Sequence, residues 1–283
     1  GEKSGKYPDG NQVMVRGADT LAAFDTPLVA NRLRSELLDA DLVVLGHVHE
    51  DHMAGLHRLR HAPVHVHEAD VDAARSWEGL ARHYGYAPDV LDGMKGKIER
   101  EFHYAPRPDA QAYKDGAAWD LGGGVTVRAI HMPGHTSGHC VLLVEPGGIA
   151  FIGDIDLSSF GPYYGDATSS LAAFRRTLAS VQDIPAKVWV TSHHKGVITD
   201  REAFLCLLKA FASRLDAREE AIAQHLRRRP STLAELVAHR FVYPRSLDDL
   251  YYADAERRTI EQHLEVLALG GRVIEEAGRW RSV

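Results

Sequence analysis

The sequence predicts an α/β chain in which two sheets pack face to face with helices outside, followed by a small helical tail. Three observations carry this. Apolar runs of strand length alternate with helix-period segments in two successive sets, the pattern of two sheets each covered by helices. A third helical pattern, about thirty residues long by its apolar period, then runs to "RRRP", where Pro230 ends it. Beyond it come two more helical patterns and a hairpin-like end.

Taken in order, "QVMVRG" and "LAAFDTP" read as strands, "VANRLRSELLDA" as a helix and "DLVVLG" as a buried strand. "HMAGLHRLRHA" reads as a short helix, "PVHVH" as a strand, and a helical period returns over 68–82. Residues 84–115 are rich in Gly, Pro and Lys without a sustained period, and read as a loop-and-helix insertion over the surface. "GVTVRAIHM", "HCVLLVE" and "GIAFIGDI" are three strand-like runs joined by Gly-containing turns. "SSLAAFRRTLASV" is helical and "AKVWVTS" is a strand. In the tail, "STLAELVAHR" and "ERRTIEQHLEVLALGG" are helices and "RVIEEAGRWRSV" a two-stranded wing, which together describe a winged-helix module.

The 283 residues, 45% hydrophobic and 25% charged, support one large domain with a small appendage. The net charge of -6 argues against a protein whose affinity comes from neutralising phosphates, so nucleic acid is not the expected partner. No apolar run is long enough to span a bilayer, and "GEKSGKYPDG" lacks the layout of a secretory signal; a signal already removed stays open. Cys140 and Cys206 fall in a strand-like and a helix-like run, and both read as buried small hydrophobes. This fits a reducing cytoplasm. Self-association as a homodimer is left open. The unusual count is histidine, 17 residues and clustered, which suggests a metal.

The densest cluster is "LGHVHEDHMAG", just past the apolar run "DLVVL". In an extended segment residues two apart point the same way, so His47 and His49 can present two imidazoles to one ion. Asp51 and His52 then fall at the start of the next helix, close by but aimed differently, so that one hexapeptide can seed two adjacent sites. Val48 and Glu50 are expected to face away and to be chemically silent. Further ligands must come from elsewhere, and candidates stand at strand ends: His135 in "MPGHTSGH", Asp154 in "FIGDID" and a histidine in "VTSHHKG". Alone, His135 is more simply a turn histidine and Asp154 a turn former or cap. In this order and all at strand ends, the ligand reading prevails.

These motifs, HxHxDH, "PGHTSGH", "GD" after a buried strand and a last strand ending "SHH", resemble the metallo-β-lactamase superfamily. The "HTSGH" form is similar to its glyoxalase II-like hydrolases. The resemblance runs from Gly10 to about Thr199 and implies an αββα sandwich with a dinuclear, usually zinc, centre between the sheet edges. Position by position, it implies His47, His49 and His135 on one metal, Asp51, His52 and His193 on the other, and Asp154 bridging. His194 leaves the last assignment open. Asp25 in "FDTP" resembles the family's Asp that hydrogen-bonds a metal-bound imidazole; capping of a helix after Pro27 is the equal alternative. His139 reads as supporting a ligand or packing at a strand start. The tail resembles the β-lactamase-like protein 2 group. The implied division is a catalytic domain over 1–199, a connecting helix over 200–229 and a winged-helix-like module over 230–283.

The implied chemistry is a metal-bridging hydroxide attacking an acyl carbon, with Asp51 orienting it and taking up its proton. Imidazole and carboxylate without thiolate suit zinc, and iron or manganese accept the same donors. The short 154–193 interval has no room for the inserted domain of the RNA-processing relatives. Leu157 stands where the quorum-quenching lactonases carry a tyrosine, and Tyr163 and Tyr164 of "GPYYG" can reach that space from the loop or pack on the sheet rim. The arginines of the tail are about balanced by its acids, so it is expected to cover the groove rather than read DNA. "RRRP" is explained as a solvated helix end favoured by the macrodipole. The leading expectation is a hydrolase of an ester, thioester or lactone of a small acyl substrate. A single-strand endoribonuclease and an iron-dependent persulfide dioxygenase are the alternatives.

Overall fold

Runs that are apolar on both faces must be buried on both faces. The computed structural model, which describes residues 1–246 and 249–283, does this with two sheets stacked between helices. The first sheet holds β1 (Val13–Arg16), β2 (Leu21–Phe24), β3 (Leu42–Val44), β4 (Val64–His67) and β5 (Gln111–Tyr113) in that order. β1 and β2 are antiparallel and the other pairings parallel. The second sheet holds β6 (Ala118–Asp120), β7 (Thr126–His131), β8 (Cys140–Glu145), β9 (Ile149–Phe151), β10 (Val188–Val190) and β11 (Val197–Ile198), again in sequence order across the sheet. Here β9 and β10 are parallel and the rest antiparallel.

The period-two rule assigns each strand residue its layer. Ala22 and Phe24 of β2, Val44 of β3, Cys140, Leu142 and Val144 of β8 and Phe151 of β9 meet between the sheets. Their neighbours Ala23 and Val43 turn to the helices over the first sheet, and Val141, Leu143 and Ala150 to those over the second. The outer layers are α1 (Ser35–Leu38), α2 (Val71–Arg75), α3 (Trp77–Tyr84) and α4 (Pro88–Glu101) on one side, and α5 (Leu171–Ser180) with α6 (Arg201–Arg228) on the other. Asp200 caps α6 by accepting from the Ala203 N–H, and Trp189 stacks on Phe204 at 4.3 Å to seat the helix on β10.

Four expectations are corrected. The helix foreseen over 29–40 is a 3-10 turn at Leu28–Arg32 plus the single turn of α1, because the Arg58 guanidinium takes the Ala30 and Leu33 carbonyls that a helix would have used. The helix foreseen over 52–62 is two 3-10 turns. Its backbone is tied sideways, with the Thr26 N–H donating to the His52 carbonyl and the Gly55 N–H to the Thr26 carbonyl. Residues 84–115 are not a surface insertion alone, since they supply α4 and the edge strand β5. Cys206 is exposed rather than buried; the inward stripe of α6 runs through Phe204, Leu208, Phe211 and Leu215, and position 206 lies off it. Cys140 is buried, and both thiols are free.

The tail consists of α7 (Leu233–His239), α8 (Tyr252–Leu269) and the hairpin β12 (Val273–Glu276) with β13 (Arg279–Ser282). They share a small core with the end of α6 through Ile222, Leu226, Leu236, Ile260 and Leu264. Glu256 of α8 is fully buried, and its carboxylate accepts from the N–H groups of Phe241, Val242 and Tyr243. A carboxylate satisfied by three amides fixes that loop, and the loop carries Tyr243 towards the segments that follow β9 and β10. Among the described residues no helix is long and apolar enough to cross a membrane.

Candidate metal centre

Parallel strands deliver their C-terminal ends to one edge of a sheet, and here the loops after β3, β9 and β10 meet the loop between β7 and β8 at such an edge. His47 and His49 follow β3 in extended chain, and the 3-10 turn Glu50–His52 then swings Asp51 and His52 to one side. The His135 loop is organised by the buried carboxylate of Asp70, which accepts from Thr136 Oγ1 at 2.6 Å, the Gly138 N–H at 2.7 Å and Ser137 Oγ at 3.1 Å. Asp154 follows Gly153, whose φ of +54° and the 2.6 Å that a Cβ would leave to His139 Nε2 both require glycine. His193 is tied to the same place, because the Ser192 N–H donates to the Gly153 carbonyl at 3.0 Å.

The side chains form two groups that share Asp154. His135 Nε2 stands 3.2 Å from His47 Nε2, 3.1 Å from His49 Nδ1 and 3.3 Å from Asp154 Oδ2. His52 Nε2 lies 3.2 Å from Asp154 Oδ1, and His193 Nε2 lies 3.0 Å from Asp51 Oδ2 and 3.6 Å from Asp154 Oδ1. One Asp154 oxygen therefore faces each group. Donors held about 2.0–2.1 Å from one ion in a tetrahedron stand about 3.3 Å apart, so the spacing within each group fits a cation between the atoms. Hydrogen bonding is no substitute: His52 Nε2, His193 Nε2 and Asp154 Oδ1 are buried and make no hydrogen bond among the described residues. Buried polar atoms without partners are costly, and converging ones fit a metal. All seven residues that sequence motifs single out are thus brought together: His47, His49, His135 and Asp154 in one group, Asp51, His52 and His193 in the other.

The outer ring nitrogens are held from behind. Asp25 Oδ2 bonds His52 Nδ1 at 2.7 Å while its Oδ1 accepts from the Gly46 N–H, so Asp25 orients an imidazole and caps no helix. The Tyr163 carbonyl holds His135 Nδ1 at 3.0 Å, and the Gly5 carbonyl holds His193 Nδ1 at 2.8 Å. His139 bonds the Met132 carbonyl through Nδ1 and accepts the Asp154 N–H on Nε2; burial, then the nearby His135, pulls its pKa down to about 3, which keeps it the acceptor that Asp154 needs. His194 lies outside the cluster, half-buried, with Nε2 3.6 Å from Asp156.

Sequence reasoning missed Asp166. Its Oδ2 bonds His49 Nε2 at 2.7 Å, and its Oδ1 accepts from both Tyr86 and Tyr163. Burial disfavours its charge, but His49 outweighs this and holds the Asp166 carboxyl below the usual range; in return His49 rises to about 9 against its own burial. Adjacent residues of an extended loop point opposite ways. Tyr163 accordingly faces the cavity, whereas Tyr164 turns away and bonds His263 Nε2 at 2.8 Å, so Tyr164 is no part of the site. Arg218 fixes this loop by donating to the Phe160 and Pro162 carbonyls.

Glu50 is a further correction. The alternation that would turn it outward ends at His49, where the 3-10 turn begins, and Glu50 is buried in the cavity wall. Its carboxylate accepts from Tyr7 at 3.0 Å and Tyr84 at 2.5 Å. Val48 is fully buried in the core. The cavity itself measures about 630 Å³. Tyr84, Tyr86 and Tyr163 wall it from the core and Tyr243, Tyr251 and Tyr252 from the tail, with Asp51, Asp154 and His193 at its floor. Lys6 and Lys195, with the imidazoles of His49, His135, His193 and His194, are the basic residues among its described lining.

Comparison with known proteins gives the same picture. The family model described as the metallo-beta-lactamase superfamily matches residues 17–209. An atrochrysone carboxyl ACP thioesterase of Pseudocercospora fijiensis is 28% identical over 203 residues, 70% of this chain; the chain spans 57% of that relative's length. A beta-lactamase-like protein 2 homolog of Drosophila melanogaster is 26% identical over 243 residues, 85% of this chain and 73% of its own. Among solved structures, a metallo-beta-lactamase family protein of Thermus thermophilus superposes with a TM-score of 0.70 at 24% identity, over 97% of this chain and 94% of that one. The family match covers both sheets apart from β1, together with the loops that carry the seven clustered residues, and on that ground this chain belongs to the metallo-β-lactamase superfamily.

Proposed function

We propose that the chain is a dinuclear metal-dependent hydrolase of a small acyl substrate, a thioester foremost, with an ester or lactone as variants of the same chemistry. His47, His49 and His135 with Asp154 Oδ2 would hold one divalent ion, and Asp51, His52 and His193 with Asp154 Oδ1 the other, zinc being the ion that best suits these donors. Bound there, the pair would supply Lewis acidity, lowering the pKa of water towards neutrality and polarising the acyl carbonyl.

The chain's own residues do the rest. His52 and His193 outweigh burial and hold the Asp51 carboxyl below the usual range, so it is ionised at neutral pH. Its Oδ2 faces those two imidazoles, leaving Oδ1 to orient the attacking water and take up its proton. The tyrosine walls offer flat apolar faces to the acyl group. The observation that carries the reading is this cavity. A pocket of about 630 Å³ walled by tyrosines and carboxylates favours a small acyl group, whereas RNA would need an open basic groove. Relatives named as thioesterases add support for the thioester.

The test is turnover by the zinc-loaded protein on a panel of acyl thioesters, lactones, aryl esters and short single-stranded RNA. Thioester cleavage that disappears in Asp51→Ala is expected. Full metal occupancy without cleavage of any acyl substrate would overturn the proposal, and RNA cleavage alone would replace it with the endoribonuclease.

A further inference from the structure

The segment over residues 2–11 crosses the outer side of the second ligand group and is held there by polar contacts. The Gly5 carbonyl accepts from His193 Nδ1 at 2.8 Å. Asn11 anchors the segment to the end of β10: its N–H donates to the Ser192 carbonyl at 2.8 Å and its Nδ2 to the Thr191 carbonyl at 3.3 Å. Asn11 Nδ2 also reaches the Ser4 carbonyl at 3.3 Å, which closes the segment on itself. Tyr7 lies partly exposed over the cavity with its hydroxyl turned in to Glu50, and its ring stands edge-on to His193 at 6.5 Å. Gly5 has φ +69°, and a Cβ there would stand 2.6 Å from Asn11 Oδ1, so the path of this carbonyl depends on glycine.

A neutral imidazole carries one proton, and a main-chain carbonyl can only accept. In the neutral ring that a metal binds, the Gly5 carbonyl therefore keeps the proton of His193 on Nδ1 and leaves the lone pair on Nε2, the buried atom that has no hydrogen bond among the described residues and faces Asp51 and Asp154. The first group is independent of the segment, since Asp166 and the Tyr163 carbonyl orient His49 and His135. In the second group Asp25 orients His52 from within the core, so His193 is the member whose orientation depends on residues 2–11.

We propose that residues 2–11 form a strap that is a working part of the second half-site: docked, it fixes the tautomer of His193 and closes the cavity edge with Tyr7, and its docking sets the affinity for the second ion but not the first. Gly5 and Asn11 are positioning residues here, acting through His193. This rests on the two-ion reading above.

The experiment compares wild type with Gly5→Ala, Asn11→Ala and Tyr7→Phe, all in the full chain, by titrating zinc against a chromophoric chelator and reading the His193 tautomer from imidazole 15N shifts of the stripped protein at alkaline pH, where the ring is neutral. Wild type should take up two ions. Gly5→Ala and Asn11→Ala should weaken the second by about 10–100-fold, the usual cost of losing the group behind a metal-bound histidine, with the first unchanged. Tyr7→Phe, which leaves the Gly5 carbonyl in place, should bind both ions as wild type does. Folded Gly5→Ala and Asn11→Ala proteins that hold both ions normally, or lose both in parallel, would overturn the strap. A wild type that takes up fewer than two ions would instead remove the reading on which it rests.

Discussion

Replacing Asp166 by asparagine should disable one half of the metal centre without touching a ligand. Asp166 Oδ2 accepts the proton on His49 Nε2 at 2.7 Å, which leaves the lone pair on Nδ1, the atom 3.1 Å from His135 Nε2. In Asp166→Asn the carboxamide oxygen can stay with Tyr86 and Tyr163, which donate to Oδ1, and its NH2 then faces His49. A donor facing Nε2 makes that nitrogen the acceptor and moves the proton to Nδ1, where it removes a ligand lone pair. The same wrong-tautomer logic disables a catalytic histidine when its partner aspartate becomes asparagine. Loss of such a partner costs about 10–100-fold in metal affinity, or about 1.4–2.7 kcal/mol. The assay is zinc competition at pH 7.5, with circular dichroism to confirm folding. Asp166→Ala serves as a second variant: it leaves the Tyr86 and Tyr163 hydroxyls, 2.6 Å apart, only each other as partners, so one O–H loses its acceptor and stability should fall by about 1–3 kcal/mol as well. If Asp166→Asn binds both ions with wild-type affinity, the tautomer argument is wrong.

The remaining predictions follow from the same contacts. His49 and His193 both rise to about 9 in the chain's own field, through Asp166 and Asp154 respectively, and Asp51, Asp154 and Asp25 hold His52 well above its ordinary value, all against burial, so zinc arriving at pH 7.5 should expel about three protons per chain. Calorimetry in buffers of different ionisation enthalpy reads this number, and a release near zero would contradict it. Because all three lie above the ordinary 6.5, their stabilisation of chelator-stripped protein is complete below about pH 6.5 and is lost as pH rises through about 9 for His49 and His193 and through the raised value of His52. The Tm of stripped protein should fall over that window, and an Asp166→Asn protein should show a shallower fall. Asp25→Ala should weaken the second ion by about 10–100-fold and spare the first, as chelator titration would show. Glu256→Ala leaves three backbone N–H groups without their acceptor and should cost at least about 2 kcal/mol in urea unfolding; KM should rise because Tyr243 loses its seat, and an unchanged KM would free the tail of a role in the cavity.

What the sequence made legible, and what it hid, divides by the range of the contacts. The strand runs were readable because burial on both faces leaves a continuous apolar stretch, as in β3 and β8. The seven clustered side chains were readable because each sits just past such a run, in a motif of a few residues. Asp166 was not, because its partners His49 and Tyr86 lie 117 and 80 positions away and nothing in "GPYYGDAT" distinguishes a turn aspartate from one that orients a histidine. Glu50 was misread because alternation was extended one residue too far, past the point where the 3-10 turn begins. The turns over 29–40 and 52–62 misled for a related reason: their apolar spacing is helical, but Arg58 and Thr26 take the carbonyls and amides that a helix needs, and no local pattern announces that.

The central claim is a two-ion centre, and anomalous diffraction from zinc-loaded crystals tests it most directly. Two peaks about 3.5–4 Å apart are predicted, one against His47, His49 and His135, the other against Asp51, His52 and His193, with Asp154 between them. A single peak, or a peak behind His49 among His83 and Asp166, would contradict the account.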